Sequence, residues 1–286
     1  MDPSLRPYRS VLYIPGSNPR ALDKARGLPV DAIIFDLEDA VAVEEKSNAR
    51  ALLAEALQTG GYGSRARIVR INALDTEWGA RDVAAMVLAG ADGILLPKVA
   101  GGADLDALGA LIADVDLWAM IETPAGVLNA AEIAAHPRLK GMVLGTNDLA
   151  KDLNCRFRAD RMPLMSSLQL TLLAARRHGV ICVDGVYNAF KDDDGLRAEC
   201  EQGRDLGFDG KTLIHPAQVA VANAAFAPSE DEVALAQRQI AAFEDAEAAG
   251  RGVAVVDGKI VENLHVATAR ATLARAAAIA ALELAT

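Results

Sequence analysis

The chain has 286 residues, of which 52% are hydrophobic and 24% charged, and it carries a net charge of −10. That length fits two ordinary domains or one large α/β barrel of ~250 residues with an appendage. The acidic balance excludes a sequence-independent nucleic-acid binder, which needs a basic surface. Cys155, Cys182 and Cys200 are odd in number and lack C-x-x-C spacing, which points to reduced thiols in a cytoplasm and not to a disulfide framework. The first ten residues hold Arg6, Arg9 and two prolines but no apolar run, so no signal peptide is expected. Residues 271–286 carry Arg275 and Glu283 and are too short to span a bilayer, so they read as an amphipathic helix and no membrane partner is expected.

Short apolar runs at 10–14, 32–35, 66–71, 93–96, 117–121, 142–144, 180–183 and 211–214 have the length of buried strands. Helical patterns at 19–26, 44–58, 80–89, 105–113, 127–135, 163–178 and 194–206 lie between them. Eight β units alternating with helices predict an α/β fold, a (β/α)8 TIM barrel. A doubly wound open sheet is disfavoured, because no G-x-G-x-x-G follows the first strand. The barrel is assigned to residues 1–225. Beyond it, an acidic helix at 228–249, two apolar runs joined by Asp257-Gly258 and a terminal helix form a C-terminal helix–hairpin–helix extension, 226–286. Some sixty residues are too few to hold a core confidently alone, so the extension should pack on a larger body.

Polar groups collect where the strands end, on the face where such barrels hold their active sites. Trp118-Ala-Met-Ile-Glu122-Thr-Pro-Ala-Gly126 and Gly141-Met-Val-Leu-Gly145-Thr-Asn-Asp148 each run from an apolar stretch into a carboxylate and a turn. Ends of adjacent strands lie roughly 4.8 Å apart, so Glu122 and Asp148 can converge on one hard cation, Mg2+ with Mn2+ as a substitute. Asp and Thr before a helix often act only as caps, and that reading stands beside the metal. Asp36, Glu38 and Asp39 cluster at the second strand end, where they would order metal-bound water and Arg70, and a second metal is the sharper alternative. Arg20 and Lys24 stand one helical turn apart, suited to phosphates or to a solvated face. Lys98, at the fourth strand end, raises the alternative of an imine-forming aldolase. With Glu122 and Asp148 on the next strands it should instead stay charged.

The segments Arg9-Ser-Val-Leu-Tyr-Ile-Pro-Gly-Ser-Asn, Phe35-Asp-Leu-Glu-Asp-Ala-Val41, Arg70-Ile-Asn, Leu96-Pro-Lys, Ile121-Glu-Thr-Pro-Ala-Gly, Gly145-Thr-Asn-Asp-Leu and Phe208-Asp-Gly-Lys-Thr-Leu-Ile-His-Pro resemble the citrate lyase beta-subunit-like group of the HpcH/HpaI aldolase/citrate lyase family. That group includes malyl-CoA and citramalyl-CoA lyases. The resemblance runs from Arg9 to about Leu282. It implies a homotrimeric or homohexameric barrel enzyme that cleaves a 3-hydroxy-3-carboxy-acyl-CoA to acetyl-CoA and a 2-oxo acid with Mg2+. Glu122 and Asp148 match the metal ligands, and Arg70 matches the arginine that orients substrate. Tyr13, Arg20 and Lys24 match positions that meet the CoA part, and His215 lies in a stretch approaching the acyl end. Glu262 aligns with a catalytic aspartate that reaches a neighbouring subunit's site, so the extension is expected to be a lid over that subunit. Here the acid is longer by one methylene, and Leu264 stands where the group has proline. An acyl carrier-protein thioester substrate, as for a citrate lyase beta subunit, and a degenerate acyl-thioester-binding homologue remain the alternatives.

Overall fold

The computed structural model describes residues 6–285. Eight parallel strands close into a barrel: β1 Ser10–Pro15, β2 Ala32–Asp36, β3 Ala66–Arg70, β4 Gly93–Leu96, β5 Asp116–Ile121, β6 Leu139–Leu144, β7 Ile181–Asp184 and β8 Gly210–Leu213. Closure is made where Ser10, Val11 and Leu12 of β1 pair with Lys211, Thr212 and Leu213 of β8. The helices outside it are α1 Pro19–Ala25, α2 Lys46–Thr59, α3 Gly79–Leu88, α4 Gly102–Gly109, α5 Pro124–Leu128, α6 Ala130–Ala134, α7 Thr146–Asp152, α8 Met165–His178, α9 Asp193–Leu206 and α10 Val219–Phe226. The barrel expected from the alternation of patterns is present.

Period-two alternation sorts the strand residues into two cores. Ile33, Phe35, Val69, Ile94, Ala119, Met142 and Leu213 pack in the large outer layer with the helices. Val11, Ala32, Ile34, Ala66, Ile68, Leu95, Trp118, Met120, Val143 and Val183 fill the interior. Trp118 is the largest fully buried side chain, and it fits because glycines flank it on both neighbouring strands. A Cβ at Gly93 would lie 2.8 Å from its indole, and one at Gly141 would fall inside the ring contact. Carried past the apolar residues, the same parity brings Tyr13, Asp36, Arg70 and Glu122 to the interior side at the carboxyl end.

Three local readings are corrected. The helix expected at 127–135 is two short helices, because the chain breaks at Asn129 (φ −98°, ψ 11°). Helices α7 and α10 went unread: α7 is a seven-residue segment too short to show periodicity, and α10 is almost uniformly apolar. Asp148, placed at a strand end by sequence, lies in the first turn of α7; β6 ends at Leu144, and Gly145 is the N-cap.

The chain separates into two compact units, one spanning Tyr8–Phe226 and one carrying the chain from Ala227 on. In the second unit, α11 Glu230–Ala248 packs against α12 Asn263–Leu284 and against the hairpin β9 Ala254–Val256 and β10 Lys259–Val261. Its small core is Phe243, Ala246, Ala254, Val261 and Val266. Asp257 and Gly258 both take positive φ, 49° and 75°, as a two-residue turn of this hand requires. No helix among the described residues is long and apolar enough to cross a membrane.

Candidate active site

Glu122 follows β5 and is 1% exposed. Its Oε1 accepts the main-chain N–H of Lys98 at 2.8 Å. Its Oε2 is buried without a hydrogen-bond partner, and Gly145 leaves it room, since a Cβ there would stand 2.6 Å from that oxygen. Burial, then repulsion from Glu38, pushes the carboxyl pKa up to about 7, with Asp148 adding to the rise. A buried carboxylate oxygen lacking a donor is costly unless something positive meets it.

Arg70, the last residue of β3, is nine-tenths buried and held by three acids. Asp36 takes it bidentately, Nε to Oδ1 at 2.8 Å and Nη2 to Oδ2 at 2.6 Å. Its Nη1 lies 2.9 Å from Glu38 Oε2 and 3.4 Å from Asp39 Oδ2. Asp36 also accepts the N–H groups of Glu38 and Ala40 at 2.8 and 3.0 Å, so it ties the β2 loop to the guanidinium. The guanidinium carbon sits 5.1 Å from the centre of the Tyr13 ring. The Tyr13 hydroxyl approaches Met120 Sδ at 3.4 Å, and burial raises its pKa. Tyr13 therefore packs with Arg70, whereas Arg20 and Lys24 lie on α1.

Lys98 Nζ stands 3.6 Å from Glu38 Oε1. Partial burial works against its charge, but Glu38, Asp39, Glu122 and Asp148 outweigh that and raise its pKa. An imine-forming lysine needs the opposite shift. A cavity of about 320 Å³ is lined by Tyr13, Asp36, Asp39, Arg70, Met120 and Asp148 among others, and by Gly145, which packs against Glu122. A second cavity of about 420 Å³ shares Thr146 and Val186 with it and is walled by the 156–164 loop, which no motif in the chain marks. Met120 could have been found, because strand parity from Glu122 leads to it.

The other residues named from sequence lie elsewhere. Arg20 and Lys24 are exposed on α1 and line neither cavity. His215 is exposed, accepts the Ala217 N–H at 3.1 Å through Nδ1 as a helix cap, and stacks on Phe190 at 4.7 Å; it is its neighbour Ile214 that reaches the cavity wall. Glu262 is exposed at the N-cap of α12, where its N–H donates to His265 Nδ1 at 3.0 Å. Asp184, the last residue of β7, is fully buried and holds Arg161 Nη1 at 2.7 Å and Lys211 Nζ at 3.3 Å, which makes it a structural ion pair.

The donor set fits a hard divalent cation: one orphaned, buried oxygen on Glu122, a part-exposed Asp148 nearby, and acids in excess of the cations Arg70 and Lys98. Among the described residues no cluster of three His, Cys, Asp or Glu side chains is pre-assembled as a full cage, so water or substrate would have to complete the coordination.

The HpcH/HpaI aldolase/citrate lyase family model matches residues 9–216. A (3S)-malyl-CoA thioesterase of Cereibacter sphaeroides is 68% identical over 275 residues, 96% of each chain. The citrate lyase subunit beta of Leuconostoc mesenteroides is 40% identical, covering 89% of this chain and 88% of that one. Among solved structures, CitE from Mycobacterium tuberculosis in complex with magnesium, acetoacetate and coenzyme A superposes with a TM-score of 0.81 at 32% identity, covering 96% of this chain and 99% of that one. The chain belongs to the HpcH/HpaI aldolase/citrate lyase family.

Proposed function

We propose that this protein is a magnesium-dependent enzyme that hydrolyses the thioester of a short, hydroxylated dicarboxylic acyl-CoA of the malyl-CoA type. The observation that carries the site is the buried, unpartnered Oε2 of Glu122 among acids, beside an arginine fixed by three carboxylates. Support for hydrolysis as the outcome comes from the 68% identity to a thioesterase over nearly the whole chain. Glu122 and Asp148 would hold the ion, which supplies positive charge to anchor a carboxylate and a neighbouring hydroxyl of the substrate. Arg70 would face the thioester oxygen, where negative charge builds as water adds to the carbonyl carbon and the sulfur leaves with a proton. The Tyr13 ring covers one face of the guanidinium.

A second reading is favoured by the citrate lyase beta relatives: cleavage of the carbon–carbon bond to acetyl-CoA and a 2-oxo acid. The same Arg70 would then stabilise the enolate, and Glu262 would return the proton to it. In either reaction we place Glu262 as an acid–base group supplied by the extension of a neighbouring copy, which makes a trimer or hexamer the working form. Incubating the protein with Mg2+ and (3S)-malyl-CoA separates the outcomes. Free thiol appearing with malate, and no glyoxylate, is the expected result. Glyoxylate with acetyl-CoA and no free thiol would replace hydrolysis by cleavage. No reaction, or one indifferent to EDTA, would overturn both.

A further inference from the structure

The loop after β4 spends an unfavourable backbone conformation on a single contact. β4 ends at Leu96, and Pro97 has no N–H, so Lys98 carries the first main-chain donor beyond the strand. Lys98 has φ 54°, in the left-handed region that residues bearing a Cβ adopt at a cost. Of the other non-glycine residues with positive φ, Asn154 and Asp257 are types that tolerate this region, and Arg161 is not. The amide so directed meets Glu122 Oε1 on the adjacent strand at 2.8 Å. Opposite, the bare Cα of Gly145 lets the carboxylate lie flat, with Oε2 buried and unpartnered.

We propose that Lys98 is a positioning residue: its left-handed main chain pins Glu122 Oε1, so that this glutamate offers one oxygen, Oε2, to a divalent cation. The inference rests on the reading of Glu122 as a metal ligand and adds what fixes its geometry. The lysine side chain is separable from this task. Its ammonium is half exposed and touches Glu38 at 3.6 Å, not Glu122.

Mn2+ is the probe, with binding to the full chain read by the loss of the free ion's electron paramagnetic resonance signal, independently of activity. Lys98→Gly and Lys98→Asn remove the ammonium but keep both the N–H and easy access to positive φ. They should bind Mn2+ within about threefold of the parent chain. Lys98→Val removes the ammonium too, but a β-branched residue resists this region, and binding should weaken about tenfold or more. In a Glu122→Gln background the valine change should cost nothing further, because the amide acts only through that carboxylate. A merely structural role would move Lys98→Val equally in both backgrounds. Equal binding by folded Lys98→Val and the parent would overturn the proposal. So would a tenfold loss in Lys98→Gly, a result available even if Lys98→Val does not fold. The reading beneath it fails differently: Glu122→Gln would then bind Mn2+ as the parent does, or the parent would not bind it.

Discussion

At the scale of single residues, Glu122 keeps a buried carboxylate oxygen without a hydrogen-bond donor. Its carboxyl pKa is raised to about 7, so between about 4.5 and about 7 the metal-free folded state holds a proton that the unfolded chain has released. A raised acid pKa means that stability contributed by the protonated form is lost as pH climbs through that window. The cation-free protein should therefore lose on the order of 3 kcal/mol from pH 4.5 to 7 at this group. Glu122→Gln should flatten that part of the profile, and Mg2+ should restore stability at neutral pH. Denaturant midpoints measured with and without EDTA at both pH values check all three. Asp148 is part exposed in the first turn of a short helix, so Asp148→Ala should leave the fold unchanged and remove metal-dependent turnover. Normal turnover in that variant would take the role away. Arg70→Lys keeps charge but cannot bind Asp36 bidentately while also reaching Glu38. A fall in kcat/KM on the order of 10²-fold is expected, with CoA binding near normal.

Elements show why much of this was readable in the chain. Strand parity, read from the apolar residues, already carries Ile34 to Asp36, Ile68 to Arg70 and Trp118 to Glu122, so the inward site groups follow from period two and from closure. What resisted reading depends on partners distant in sequence or on very short elements. Asp184 ends β7 as Asp36 ends β2. Its burial follows from Arg161, 23 residues earlier, and Lys211, 27 later, which only the closed barrel brings together. His215 was expected in a stretch approaching the acyl end, and its Nδ1 is occupied as a cap two residues away. The Trp118 plug belongs to this scale as well. Gly141→Ala would push a Cβ into the indole between β5 and β6, an overpacking that costs roughly 1–3 kcal/mol. The thermal midpoint should fall by roughly 2–4 °C for each kcal/mol. Pairing the change with Trp118→Phe should recover part of the loss, which calorimetry would read directly.

Across the whole molecule, the proposed reaction pairs metal ligands on the barrel with an acid–base group on the extension. Among the described residues, the cluster formed by Phe243, Ala246, Ala254, Val261 and Val266 is far smaller than the barrel's two layers, and the hairpin leaves Val255 and Ile260 more than half exposed. So small a core is marginal alone, and the exposed hairpin face is suited to packing against a larger partner. Glu262 caps α12 with its carboxylate exposed and without a hydrogen bond among the described residues, as an acid delivered to a substrate would be. If it serves a neighbouring copy, two inactive chains should rescue each other. Glu262→Ala and Asp148→Ala, mixed under conditions where subunits exchange, would form some sites with an intact metal centre from one chain and an intact acid from the other. Activity should then return to a fraction set by the mixing ratio. If Glu262 worked within its own chain, every site would lack one of the two groups and the mixture would stay inactive. Native mass spectrometry of isotopically labelled chains can establish that exchange took place. No recovery after verified exchange, or ordinary activity in Glu262→Ala alone, would remove the extension from the chemistry and leave the barrel to catalyse unaided.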